Sequence, residues 1–340
     1  MATRWGICSA GKISHDFMVA LKTLPDTDHQ VERGRRAVAV ATRDLSRSRD
    51  FAERHQIPKY YGSYEELAND PNIDVVYVGT INTQHLDMTL LMLQAGKNVL
   101  CEKPMAMNLK DVQKLVRTAR ACNCFLMEGL WSRFFPVYKK IRCLLSENHV
   151  GEVKMVRAEF GTWMLETPRV VEKELGGGVL LDIGCYCVQF ACMVFNGEKP
   201  DSIHATGFLT EKGTDETVNI VLKYSRKRMA ILTATMATHL PNQAVISGTK
   251  GIITVPTHMW CPTSLMVNGV IEEFPLLTPS QPLNFTNSIG LRYEAEEVRR
   301  CLQKGLKESS QVTLADSELV LSILDEVRQQ LGVEYSQDIA

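Results

Sequence analysis

Short apolar runs alternate with helix-like segments along the first part of the chain. The runs are Arg4–Cys8, Ala37–Thr42, Val75–Val78, Val99–Cys101 and Phe125–Met127. Between them, apolar residues recur at helical spacing from about Ser14 to Leu24 and over "SRSRDFAERH", "YEELAND", "HLDMTLLMLQAG" and "LKDVQKLVRTARAC". Gly96 stops the fourth of these, and Ser63 with Glu66 spells a capping box before the third. Strands separated by helices at this spacing predict a parallel, doubly wound sheet.

After Arg133 the pattern changes. "GEVKMVRAEFGTW" reads as one long strand and "GGGVLLDIGCYCVQFACMVF" as a buried helix led by glycines. From Ser202 to Phe274 follow "SIHATGF", "VNIVLKY", "MAILTATMAT", "AVISGT", "IITV" and "SLMVNG", with a hairpin turn at "GTKG". Helical spacing returns at "YEAEEVRRCLQKGL" and "DSELVLSILDEVRQQL". The expectation is an α/β chain in two domains. Residues 1–133 form the doubly wound one, and residues 134–340 an α+β domain on one mainly antiparallel sheet.

Composition narrows the class. The chain has 340 residues, 45% hydrophobic and 23% charged, enough for two packed cores. A formal net charge of −1 points to neither nucleic acid nor a membrane surface. No apolar run is read as reaching the ~20 residues of a membrane span, and a strand beginning at Arg4 is read as leaving no room for a leader. The ten cysteines include the pairs Cys122/Cys124 and Cys185/Cys187, whose C-x-C spacing suits a metal poorly. Reduced thiols in a cytoplasmic, metal-free protein are expected.

Candidate chemistry begins at the end of the first run, where "GICSAGKIS" occupies a phosphate-loop position. The G-x-G-x-x-G rule aligns as Ser9-Ala10-Gly11-Lys12-Ile13-Ser14, with only Gly11 retained. Small Ser9 and Ser14 keep the tight turn and close helix packing open. The helix that follows offers its N-terminus to an anion. After the second strand stand Arg43 and, one helical turn on, Arg47, which suit the 2′-phosphate of NADP. Asp44 between them keeps NAD open. Arg33, Arg35 and Arg36 of "VERGRR" precede that strand and read as a solvated connection.

The run "VLCEKP" is the fourth in the list of apolar runs. In a sheet of order 3-2-1-4-5 it lies beside the first, at the switch point where ligands bind. Lys103 then emerges at the nicotinamide end, where an ammonium helps deprotonate a substrate hydroxyl. Pro104 fixes its backbone, with a cis bond conceivable. Glu102 either pairs with Lys103 or reaches the nicotinamide side.

With "CEKP", "GTINTQH" and "GGGVLLDIGCY" the chain resembles the glucose–fructose oxidoreductase/inositol dehydrogenase (Gfo/Idh/MocA) family over nearly its whole length. "FLMEGLWSRFFP", "SGTKG", "WCPT" and "FTNSIGLRYEAEEV" bring it nearest the dihydrodiol- and sugar-oxidising members. "VERGRR" departs from them as an apparent insertion. The resemblance implies a Rossmann domain followed by a domain with an open-faced sheet, and a homodimer formed through that sheet. It implies Lys103 as the family lysine, Tyr186 as acid/base, Asp182 as the carboxylate that orients substrate hydroxyls, and His85 as the histidine after the third strand. It further implies an aromatic pocket of Trp131, Phe160, Trp260 and Phe285. Cofactor contacts are expected from Ser9, Gly11, Lys12, Ile13, Arg43, Arg47, Thr80, Asn82, Glu102 and Lys103.

The residues themselves are compatible with this reading. Asp182 and Tyr186 stand four apart in a helix-like segment, so their side chains share a face. A neighbouring ammonium would lower the phenol pKa toward neutrality. The expected function is NADP-dependent oxidation of trans-dihydrodiols of aromatic hydrocarbons and of pyranoses such as D-xylose. A carbonyl or biliverdin-type reductase, and a non-catalytic dinucleotide-binding regulator, are the alternatives. For Asp182 and Tyr186 a capped, half-buried helix, and for the aromatics plain core packing, are the structural alternatives.

Overall fold

A computed structural model describes residues 3–24 and 36–339. In it the chain forms two compact units, and neither is contiguous in sequence. The first comprises Met1–Ala106, Asp111–Trp131 and Leu276–Leu314; the second comprises Met107–Lys110, Ser132–Pro275 and Ala315–Ala340.

In the first unit the chain runs β1 (Trp5–Cys8), α1 (Lys12–Leu21), β2 (Ala37–Ala41), α2 (Leu45–His55), β3 (Lys59–Tyr61), α3 (Tyr64–Asn69), β4 (Val75–Val78), α4 (His85–Gln94), β5 (Asn98–Glu102), α5 (Leu109–Ala121) and β6 (Leu126–Gly129). The six strands pair in parallel in the order β3-β2-β1-β4-β5-β6. β1 and β4 are buried at every residue, as a parallel sheet covered on both faces requires. The capping box before α3 is present, with Ser63 and Glu66 bonding each other's backbone N–H.

This order corrects the expected placement of the lysine strand. Val75–Val78, not Val99–Cys101, lies beside the first strand, and β5 lies one place further out. The count slipped because β3 is the three-residue "KYY" on the sheet edge, two of its residues exposed. It carries no apolar run to reveal it.

The second unit contains α6 (Pro136–Ser146), β7 (Val153–Gly161), α7 (Pro168–Val171), α8 (Cys185–Val194), and β8 (Ser202–Leu209) through β9 (Asp215–Tyr224), β10 (Arg228–Thr235), β11 (Ala244–Gly248), β12 (Gly251–Val255), β13 (Ser264–Val267) and β14 (Val270–Glu273). Its sheet has the order β14-β13-β12-β11-β7-β10-β9-β8. Every pair is antiparallel except β7 with β10. Helix α6, "PVYKKIRCLLS", and strand β14 were not expected. β14 follows a turn in which Asn268 and Gly269 have φ of 49° and 85°, the left-handed pair of a tight hairpin.

The run Lys173–Val194 corrects a second expectation. It spans 22 residues, and an 18-residue window within it has mean hydropathy 1.6, long and apolar enough by length and composition to cross a membrane; that window is wholly buried in the fold. All ten residues of α8 are buried. This is a core element of the unit.

The remaining helices are α9 (Leu291–Gln303), α10 (Leu314–Leu331) and α11 (Ser336–Ile339). Helix α9 belongs to the first unit, which corrects the expected division at residues 133 and 134. The physical reason is Asp16 of α1, fully buried. Its carboxylate accepts the backbone N–H groups of Asn284 and Phe285 and the Ser288 hydroxyl. No local signal announces a contact across so long a stretch of chain.

A second tie lies alongside. His15 Nε2 is 3.0 Å from Pro282 O, and its Nδ1 is 3.1 Å from His55 Nε2. Two neutral rings satisfy both contacts if His55 donates to His15 and His15 to Pro282, an assignment from the bonding pattern. Burial, then the neighbouring His15, Lys22 and Arg54, lowers the His55 pKa to about 3. Between that value and the ordinary ~6.5 the unfolded chain binds a proton that the folded one does not. Stability should therefore fall as pH drops through this window. His55→Gln should flatten urea-midpoint profiles measured from pH 7 to 4, and an unchanged slope would remove His55 as the cause.

Candidate active site

The phosphate loop keeps the required backbone without the usual glycines. Ser9 has φ 98°, a conformation glycine adopts at little cost and other residues rarely. Its N–H donates to Ala41 O at 2.9 Å, which locks the turn to the end of β2. Gly11 is the N-cap of α1 and has no side-chain cap, so the first N–H groups of the helix face the loop. A Cβ built at Gly11 would meet nothing nearer than Ser9 Oγ at 3.7 Å. The chain's own packing does not demand glycine there, whereas close approach of a pyrophosphate does.

Ser14, at the third glycine position, is fully buried, and its Oγ has no hydrogen-bond partner among the described residues. It faces Gly79, where an added Cβ would come within 2.7 Å of that oxygen and 2.8 Å of Tyr77. The close helix–strand contact is therefore supplied from the far side by Gly79. Sequence reasoning quoted Gly79 within "GTINTQH" and gave it no role; a glycine directly after a buried strand was the available signal.

At the end of β2, Arg43 and Arg47 are exposed, and both act on one phenol. Burial raises the Tyr64 pKa, and the two guanidiniums oppose the rise. Asp44 caps α2: its Oδ1 accepts Ser46 N–H at 2.9 Å, the Ser46 hydroxyl at 2.7 Å and Arg47 N–H at 3.4 Å. These bonds, led by the Ser46 hydroxyl, hold its carboxyl below the usual range. Arg33 and Arg35 lie outside the described residues. Arg36 is not simply solvated, because it donates to Leu24 O at 2.8 Å.

The lysine loop is held from three directions. The Lys103–Pro104 bond is cis. Glu102, buried, accepts the Tyr77 hydroxyl at 2.6 Å and the Lys103 backbone N–H at 3.3 Å. Burial raises its pKa, with the Tyr77 bond and the Lys103 charge opposing. The Met105 N–H donates to Glu128 Oε1 at 2.9 Å. His85 opens α4 with its ring between two carbonyl oxygens, Pro104 O at 2.6 Å and Thr80 O at 3.1 Å. Burial lowers its pKa, the carbonyls oppose, and Lys103 adds to the lowering. The neutral ring has one N–H, which the shorter contact assigns to Pro104. His85 is thus engaged in holding the loop, and Thr80 Oγ1 beside it is buried without a hydrogen-bond partner among the described residues. Asn82 is buried at the start of the 3-10 turn Asn82–Gln84. Lys12 is exposed and Ile13 half-buried in the first turn of α1.

In the second unit Asp182 and Tyr186 do not share one α-helix. Leu180–Gly184 is π-helical and α8 begins only at Cys185; such wide turns recur at functional sites. The π turn is held at its start by Asp215, which accepts Leu180 N–H at 2.5 Å. Tyr186 lies 5.9 Å from Phe160, ring centre to ring centre, and Phe160 stacks on Trp260 at 3.6 Å and 11°. Asp182 pairs with Arg169 of α7 at 2.8 Å and 3.4 Å. Arg169 is held charged first by Asp182 and also by Tyr186. Sequence reasoning missed Arg169; the short "PRVV" helix carries no motif. The structure thus brings together Tyr186, Asp182, Phe160 and Trp260 in this unit. Trp131, buried, and Phe285, exposed, belong to the first unit.

Comparison with known proteins gives three findings. Residues 3–130 match a model of the oxidoreductase family with the NAD-binding Rossmann fold, and residues 138–254 match the Gfo/Idh/MocA C-terminal domain. The chain is 61% identical over 335 residues to trans-1,2-dihydrobenzene-1,2-diol dehydrogenase of Xenopus tropicalis, covering 98% of this chain and 100% of the relative. It is 48% identical over 338 residues to the Homo sapiens protein of that name, covering 99% of each. Its fold is that of aldose-aldose oxidoreductase from Caulobacter crescentus complexed with glycerol (TM-score 0.82, 21% identity, 98% of each chain). It is also that of a 3-ketoreductase from Actinomadura kijaniata in complex with NADP and TDP-benzene (TM-score 0.78, 22% identity, 97% and 98%).

Proposed function

The chain belongs to the Gfo/Idh/MocA oxidoreductase family, and from that premise we propose that it is an NADP-dependent dehydrogenase. It takes hydride from a carbon bearing a secondary or hemiacetal hydroxyl. Trans-dihydrodiols of aromatic hydrocarbons are its first substrates and pyranoses such as D-xylose its second. The observation that carries this reading is the phenol of Tyr186 set beside the Phe160–Trp260 stack and within electrostatic reach of Arg169, which pairs with Asp182. A flat apolar wall suits a cyclic diol, and the carboxylate suits its hydroxyl groups.

Bound at the Gly11 loop, the dinucleotide supplies the hydride acceptor. The phenolate of Tyr186 takes the hydroxyl proton, Asp182 orients the hydroxyls, and Lys103 stabilises the developing alkoxide. His85 and Glu102 position the lysine loop. A dihydrodiol oxidised at one carbon goes on to the catechol, and D-xylose to its lactone. A substrate panel of a trans-dihydrodiol, D-xylose and D-glucose, followed at the NADPH absorbance, tests the reading. Turnover of none of them, with reduction of carbonyl substrates instead, would favour the reductase alternative.

NADP over NAD is supported by Arg43 and Arg47 acting on one spot and by the use of Asp44 as a helix cap. Arg43→Ala should weaken NADP⁺ by about 1.5–3 kcal/mol and leave NAD⁺ nearly unchanged. Equal loss for both dinucleotides would make Arg43 structural. A homodimer in the cytoplasm completes the proposal; the exposed apolar residues Phe208, Leu209 and Ile252 of the second sheet support an interface. Sedimentation as a monomer at micromolar concentration would exclude it.

A further inference from the structure

The segment from Pro282 to Ser288 is tied to the first turns of α1, and the proposed chemistry above gives that tie no part. Asp16 is fully buried, yet it accepts from Asn284 N–H at 2.9 Å, Asn284 Nδ2 at 2.8 Å, Phe285 N–H at 2.9 Å and the Ser288 hydroxyl at 2.5 Å. Asn284 Nδ2 also lies 3.3 Å from Lys12 O, the carbonyl next to the Gly11 cap. His15, directly before Asp16, adds its contact with Pro282 O. The strap therefore lies along the helix turn whose free N–H groups face the phosphate loop.

A buried carboxylate with four donors converging on it is far more than packing needs. Each charge-assisted bond is short and directional, and removing the acceptor leaves buried donors unsatisfied. The strap is otherwise irregular, leading into the turn Ser288–Gly290 with Asn284 and Phe285 exposed. Asp16 determines where its exposed side chains stand.

We propose that Asp16 is a positioning residue for the dinucleotide, holding the 282–288 strap as an outer wall beside the phosphate loop and presenting Asn284 and Phe285 to the bound cofactor. This rests on the reading of the Gly11 loop as the dinucleotide site. The strap then retains the cofactor, and its loosening appears first in the rate at which the cofactor leaves.

The test measures NADPH by quenching of protein fluorescence, with dissociation followed after displacement by excess NADP⁺. Asp16→Asn should raise the Kd about tenfold, the equivalent of ~1.4 kcal/mol, through faster dissociation. The KM for NADP⁺ should rise with it, while kcat at saturating cofactor stays within about twofold, because no reacting atom is touched. Asn284→Ala, an exposed change that leaves Asp16 its backbone donors, should raise the Kd about threefold and keeps the proposal testable if Asp16→Asn fails to fold. Unchanged Kd and dissociation rate in the soluble variants, even with a lowered Tm, would overturn the proposal and leave the dinucleotide reading intact. Failure of the wild-type protein itself to bind NADPH would overturn that reading, and the strap with it.

Discussion

Tyr186→Phe is expected to lower kcat by about 10²–10⁴-fold, the usual worth of a positioned acid/base. Phe keeps the ring beside Phe160, so packing is preserved and NADPH binding should survive nearly unchanged. Only the proton acceptor is lost. In the wild-type protein kcat/KM should fall as acid protonates the phenolate, and that limb should vanish in the variant. Arg169 and Asp182 shape the limb: the guanidinium favours the phenolate, and the carboxylate it pairs with opposes it. An active Tyr186→Phe enzyme with an unaltered acid limb would move the proton to Asp182 or His85.

Lys103→Met should reduce kcat by a similar factor, for an electrostatic reason. Lys103 is half-buried on a loop fixed by Glu102, Glu128 and His85, and its charge is already felt by both Glu102 and His85. On the proposed reading it stabilises the alkoxide and favours the Tyr186 phenolate. Removing it therefore damages both steps at once. Groups acting as one unit are non-additive, so the double variant should be little slower than either single one. Lys103→Arg should keep part of the rate and shift the acid limb without abolishing it. A double variant slower by the full product of the two factors would separate the residues into independent roles.

The sequence made some of this legible and hid the rest for identifiable reasons. Buried parallel strands are continuous apolar runs, so the pattern found Val75–Val78 to the residue and the neighbouring strands to within two residues at each end. The edge strand Lys59–Tyr61 has no such run, and missing it displaced the lysine strand by one place. Ser9 hid a conformation that glycine would have advertised, since φ is not written in residue identity when the residue is atypical. The Asp182–Tyr186 pair was visible from spacing, but the π turn between them was not, because Asp215 helps to hold it from a distant strand. Arg169, Gly79 and Asp16 matter through partners far along the chain, and no local pattern encodes a partner.

Asp16 has a consequence for how the chain is made. Asn284 follows it by 268 residues, so at ~5–20 residues per second a ribosome needs roughly 13–54 s to deliver the donors its carboxylate awaits. The sheet of the second unit, ending at Glu273, emerges before them. The unit that begins the protein thus stays open until its last segment, Leu276–Leu314, emerges, and a nascent chain carries it unfinished while the later sheet is already assembling. The second unit waits in turn for Ala315–Ala340, so both halves are completed only by the final stretch of chain.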